Sequence, residues 1–253
     1  MQNKDFLAQI AAGKRFAAGE TLPPAYRSEL MRLMVVFADS ELAGAAGFCG
    51  FVNRGPGLRE RIVAARIVAE KYVHAEQVLN LLKPFGVDPV LYVRSHAWDS
   101  RLDRNVDLGT RRIGGDKRLN VFHTPLEGWE DAVTFNMLMG SATAIQLGEM
   151  SESSYQPLAS VITEILPREK EHAVLGETGV AQAIARSGSK SAAQAAVDFW
   201  YPRVAATFGR VESDHATLYI QYGLRRRTSA EMQADWKQQS ADALKRLGLK
   251  QPD

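Results

Sequence analysis

Glu169 and His172 extend the apolar stripe Leu158, Ile162, Ile165 along one stretch of the chain. A three-residue spacing brings a carboxylate and an imidazole onto one side of a helix, as a carboxylate-bridged metal site in a bundle core requires. Glu41 stands four residues after Phe37 and four before Ala45, on the apolar face of another stretch. His74 is the next candidate ligand, but three residues before it, where a second Glu-x-x-His would carry its acid, the chain has Lys71. Glu70 is adjacent, yet one residue turns about 100° around a helix. That turn places Glu70 with Arg66 and Gln77 and assigns Lys71 to the interior. Burying any of these groups costs several kcal/mol unless it is paired or bound to metal.

The spacing between these positions repeats. Glu41 precedes Lys71 by 30 residues, and Gly140 precedes Glu169 by 29. Two helical hairpins, each with one acid on its first helix and one Glu-x-x-His on its second, would supply six ligands. Glu41, His74, Glu169 and His172 fit this scheme, whereas Lys71 and Gly140 depart from it. An ammonium ligates a metal only when deprotonated, and glycine offers no side chain. The same pattern admits a metal-free reading, in which Lys71 sits between Glu41 and Glu169 and neutralises both. The expectation is therefore a vestigial or altered site with no cofactor, and a metal only if the site is functional.

These residues need long helices to position them. Helical periodicity predicts core helices over roughly 25–52, 58–82, 130–150 and 153–184, the last bent at Pro167. Further helices are predicted over roughly 191–208 and 229–247. The latter carries Thr228 as its cap, Glu231 as the capping-box partner and Gly248 as its stop. Residues 84–128 lose the periodicity and hold Pro89, Gly109, Gly114, Gly115 and Pro125, far more than the short connection usual in a bundle. The reading is all-α, a four-helix bundle with one long crossover, forming a single domain over 1–253.

Composition narrows the classes. The 31 basic and 29 acidic residues leave a net charge of +2, too little to make nucleic acid or an anionic membrane the main partner. No signal-type start and no segment of about 20 apolar residues is found, so a cytoplasmic setting is expected. The lone Cys49 reads as a small buried hydrophobe. No Gly-x-Ser-x-Gly, Walker loop or His-Glu-x-x-His is present. The basic residues Arg94, Arg101, Arg104, Arg111, Arg112, Lys117 and Arg118, with the run Arg225, Arg226, Arg227, offer weak candidates for coenzyme A phosphates. His96, His123 and His215 lack a spaced partner and are read as surface or hydrogen-bonded residues.

In the order and spacing of several segments the chain resembles the phenylacetic acid catabolic family, the ferritin-like A and C subunits of the phenylacetyl-CoA epoxidase complex. The segments are Leu119-Asn120-Val121-Phe122 leading to Pro125 and Trp129, Ser154-Tyr155-x-Pro157, Glu169-x-x-His172, Trp200-x-Pro202 with Phe208-Gly209, and Leu247-Gly248-Leu249 with Pro252-Asp253. The likeness is nearer the A subunit, with the benzoyl-CoA epoxidase oxygenase more distant. It implies a di-iron centre that activates dioxygen to epoxidise an aromatic acyl-CoA, with Glu41, His74, Glu169 and His172 in ligand positions. It also implies oligomers, with copies of itself or with other oxygenase subunits, and a non-catalytic C-type subunit whose centre is lost. The expected function is a ferritin-like subunit, or a divergent paralogue, of such an oxygenase, non-catalytic by itself. The alternatives are an active oxygenase with an altered site that recruits Glu70, and an unrelated helical structural protein.

Overall fold

The computed structural model describes residues 2–210 and 213–252; Asp253 of the closing motif lies outside them. Among the described residues the regular elements are helical. They are α1 (Gln2–Ala11), α2 (Pro24–Cys49), α3 (Leu58–Leu82), α4 (Pro89–Arg94), α5 (Gly128–Met150), α6 (Gln156–Ser187), α7 (Ser191–Ala205), α8 (Asp214–Gln221) and α9 (Ser229–Leu247). Helices α2 and α3 pack as one hairpin and α5 and α6 as the other, giving the ferritin-like bundle, with α7 and α9 laid against α5.

The long crossover is fastened to α2. The Tyr92 hydroxyl donates to Asp39 Oδ1 at 2.7 Å, Leu119 N donates to Ser40 Oγ at 3.0 Å, and Arg101 donates to the Ala43 carbonyl at 2.7 Å. It contains the short helix α4 and a 3-10 turn at Asn120–His123, so it is less irregular than its glycines and prolines suggest. Apolar burial forms three clusters, one of them Phe48, Ala64, Ile67 and Val68 between α2 and α3. Tyr26, Leu30, Met34 and Leu82 pack with Leu158 and Ile162 in the second, and Trp200 and Trp236 pack with Met137 and Leu138 in the third.

Buried polar hooks set how the C-terminal helices dock. Asp131 of α5 accepts from Trp200 Nε1 at 2.8 Å, from Arg104 Nη2 at 2.7 Å and from Glu127 N at 2.7 Å. Trp236 Nε1 donates to the Leu138 carbonyl at 3.1 Å. At α9 the Thr228–Glu231 capping box and Gly248 at φ 65° form as expected.

Other boundaries shift for local reasons. Helix α2 ends at Cys49, because residues 52–54 tighten into a 3-10 turn. Helix α6 starts at Gln156 and not at 153: Ser154 Oγ donates to the Tyr222 carbonyl at 2.6 Å and pairs with the Tyr26 hydroxyl. It then runs through Pro167 to Gly188, which takes φ 66°. Residues 206–208 leave α7 as a 3-10 turn, and α1, α4 and α8 were not expected. Cys49 is exposed at the end of α2, which corrects its reading as a buried residue. Helix α2 is also long and apolar enough by composition to cross a membrane, contrary to expectation. Its apolar side chains pack in the bundle and it buries Asp39 and Glu41, as a core helix does.

Replacing Asp131 with Ala leaves the Trp200 N–H without its acceptor and reduces the partners of Arg104 to the Pro125 carbonyl and Glu127. The expected cost is about 3 kcal/mol, read by urea denaturation. Thr228→Ala, which removes only the cap, is expected to cost about 1 kcal/mol.

Candidate metal centre filled by a lysine

Three helices bring the predicted residues together. Glu41 comes from α2, Lys71 and His74 from α3, and Glu169 and His172 from α6. Glu41, His74, Glu169 and His172 are all buried. Lys71 Nζ lies 3.0 Å from Glu41 Oε1 and 3.2 Å from both Glu169 oxygens. His74 Nδ1 donates to Glu169 Oε1 at 2.8 Å and stands 3.4 Å from Glu41 Oε2. The two imidazoles stack with ring centres 5.9 Å apart. The Lys71 ammonium thus lies between the two acids.

Charge balance explains the protonation states. Burial alone would lower the Lys71 pKa, but Glu169 and Glu41 outweigh it and push it above the ordinary range. Burial would likewise lower His74, yet its hydrogen bond to Glu169 and the neighbouring Glu41 carboxylate raise it to about 9. Burial works to raise Glu169, and Lys71, His172 and His74 together hold it well below the usual carboxylate range. The centre is therefore an ionic network of buried acids and their cations.

Glu70 requires a correction. Although its Cα lies on the outer side of α3, its carboxylate reaches His172 Nε2 at 2.6 Å, with Arg66 Nε 3.8 Å away on its other side. A glutamate on a helix flank has the reach to turn back over an edge, which periodicity counted at the Cα does not register. His172 Nδ1 faces Glu169 Oε1 at 3.3 Å without a hydrogen bond, and Glu41 Oε2 also lacks a partner.

These side chains do not fit a two-iron centre. Their two core carboxylates already hold an ammonium, and the α5 position of the missing acid is Gly140. A Cβ added there would lie 3.0 Å from Ala173 Cα and 3.1 Å from Ala173 N. Glu41, His74 and Glu169 do place ligand atoms within 4.8 Å of one another, a set able to hold a single ion were the lysine elsewhere.

The basic residues divide by role. Arg104 binds Asp131, Arg118 binds Asp116, and Arg101 binds backbone carbonyls. Arg226 pairs with Glu152 at 3.0 Å, and Arg227 pairs with Glu149 at 2.7 Å and with Asp235. Arg225 instead lines a cavity of about 340 Å³ with Arg32, Arg112, Arg203 and Arg210, beside Leu33, Met150 and Phe208. Arg203 Nε and Arg225 Nε there are buried without partners. Sequence reading missed Arg32, Arg203 and Arg210, since single arginines far apart in the chain read as solvated charge. His215 pairs with Glu29 at 2.9 Å at the wall of the same cavity, and His96 packs on Tyr92 and Trp98.

The family model of the phenylacetic acid catabolic protein matches residues 3–253. The A subunit of 1,2-phenylacetyl-CoA epoxidase from Escherichia coli (strain K12) is 23% identical over 256 residues, covering 100% of this chain and 78% of that protein. Component B of benzoyl-CoA oxygenase from Aromatoleum evansii is 23% identical over 261 residues, covering 91% of this chain and 53% of that protein, so the match spans about half of that relative. With its all-α bundle and this match over nearly its whole length, the chain belongs to the phenylacetic acid catabolic protein family.

Proposed function

We propose that this chain is a ferritin-like subunit, or a diverged paralogue, of an aromatic acyl-CoA oxygenase system of the phenylacetyl-CoA epoxidase type. In this reading it works in the cytoplasm as one folded unit beside other oxygenase subunits and does not turn over oxygen alone. The observation that carries the reading is the Lys71 ammonium, held at 3.0 Å and 3.2 Å by the carboxylates of Glu41 and Glu169. A cation bonded to both acids occupies the lone pairs that metal ligation needs, and its charge repels an incoming ion. The competing reading, an active oxygenase with an altered centre, draws on the Glu41, His74 and Glu169 cluster. It requires Lys71 to leave two carboxylates that both hold it, so the first reading is preferred.

The arginine-lined cavity supports acyl-CoA as the ligand. Five arginines face it, against Glu149 as the acid in the lining, and Glu149 is already bonded to Arg227. Guanidinium groups with free N–H donors suit phosphate oxygens, and the apolar wall of Leu33, Met150 and Phe208 suits an aromatic or pantetheine segment. The weak candidate run at 225–227 reduces in this reading to Arg225, because Arg226 and Arg227 are engaged elsewhere.

Three measurements follow. Metal analysis by inductively coupled plasma mass spectrometry, after anaerobic reconstitution with ferrous iron, is expected to find no stoichiometric iron; near two irons per chain would restore the oxygenase reading. Calorimetry with an aromatic acyl-CoA is expected to show about tenfold or greater weakening for Arg225→Ala and Arg112→Ala, as loss of a charge-assisted hydrogen bond implies, and little change for Arg226→Ala. Stability should also depend on pH. His74, raised from 6.5 to about 9, contributes stability that is fully present below about pH 6.5 and lost as pH rises through about 9. Glu169, depressed, contributes above its ordinary 4.5 and loses that only as pH falls well below it. The urea midpoint is therefore expected to hold between about pH 5 and 6.5 and to decline toward pH 9, with the decline reduced in His74→Gln.

A further inference from the structure

We propose that the core of this chain keeps a place for one cation, filled by its own Lys71 ammonium, and that direct contact between α5 and α6 has closed the place of a second. The proposal rests on the metal-free reading above and adds what the centre can be rebuilt into. At the first place, Nζ lies against Glu41 and Glu169, and ligand atoms of Glu41, His74 and Glu169 fall within 4.8 Å of one another. Glu41 Oε2 and His172 Nδ1 are buried there without partners. The donor set is that of a small cation site, and the lysine stem delivers the cation from α3.

The second place would need a carboxylate on the fourth core helix, α5. Gly140 stands there, with Ala173 of α6 so near that a Cβ would lie 3.0 Å from its Cα, 3.1 Å from its N and 3.2 Å from its Cβ. One turn onward the relation is reciprocal: a Cβ on Gly176 of α6 would lie 2.4 Å from Met137 N of α5, and one on Gly179 would lie 2.8 Å from Val133 Cγ1. The obstructing atoms at Gly140 and Gly176 are largely backbone. They cannot swing aside as a long side chain does, so a carboxylate at 140 must push α5 away from the α6 it packs against. The loss on α5 is thus built into the packing, whereas the loss on α3 is confined to the single side chain of Lys71.

The test uses the full chain carrying Lys71→Glu, which restores Glu-x-x-His on α3, with Mn2+ as the probe. After loading and desalting, the variant is expected to hold one Mn2+ per chain, with Tm raised by roughly 5 °C or more at saturating Mn2+. The wild type is expected to hold none. Two ions per chain in the variant would overturn the closed second place. A folded variant that holds none would overturn the cation place. Should Lys71→Glu be insoluble, Lys71→Ala carries the same question: methylammonium or Mn2+ is expected to raise its Tm, and indifference to both would overturn the proposal. The seam is tested by Gly140→Ala in the wild-type background. In an unobstructed helix this change raises stability, so a lowered Tm is expected and a raised one would contradict the closure. Iron in the wild type would instead overturn the metal-free reading, which keeps the two failures apart.

Discussion

Three helices meet at one ammonium group. Lys71 of α3 reaches between Glu41 of α2 and Glu169 of α6, and its charge allows two carboxylates to share the bundle interior. Removing one partner of such a buried pair costs about 3–5 kcal/mol, because the other charge is stranded. An ion pair of this kind adds little stability over apolar packing of the same volume, so its presence calls for an origin. The proposed reading supplies one: in it the stacked imidazoles of His74 and His172, both held against acids, are the remaining ligands of a metal centre, and a lysine stands among them.

From that constraint the rest of the molecule separates into two regions. The α2–α3 hairpin and α6 hold the ionic network, with Tyr26, Leu30 and Ile162 packed along the same helices. Helix α5 contributes no side chain to the network. It lies close against α6 through Gly140 and Gly176 and presents Asp131 to Trp200 of α7 and Arg104 of the crossover. The arginine cavity lies where α2, the crossover and the C-terminal helices converge. In the proposed reading, a subunit with a lysine in place of metal retains a pocket of ordinary ligand size, which suits binding substrate in an assembly whose chemistry occurs elsewhere.

The bundle and its centre were legible because long amphipathic helices repeat every 3.6 residues. Glu41, Glu169 and His172 interrupt apolar stripes, and Lys71 replaces an acid at a fixed offset from His74. What escaped was set by reach and by tertiary contact. Glu70 starts on the outer face of α3 and still bonds His172. Cys49, read as buried because a free cysteine behaves as a small hydrophobe, sits exposed at a helix terminus. The cavity arginines come from α2, the crossover, α7 and the segments flanking α8, and nothing local in the sequence unites them. Helices α1, α4 and α8 are each ten residues or shorter, too short for periodicity to mark. Gly140 was legible as a departure from the six-ligand pattern, but its closeness to the Ala173 backbone was not.

The most direct test of the account is a crystal structure of the wild-type chain grown with ferrous iron under anaerobic conditions, with anomalous scattering recorded at the iron edge. The expected result is no iron peak among Glu41, His74, Glu169 and His172, with Lys71 Nζ in hydrogen-bond contact with both carboxylates. Two iron peaks there, with Lys71 turned out of the core, would contradict it.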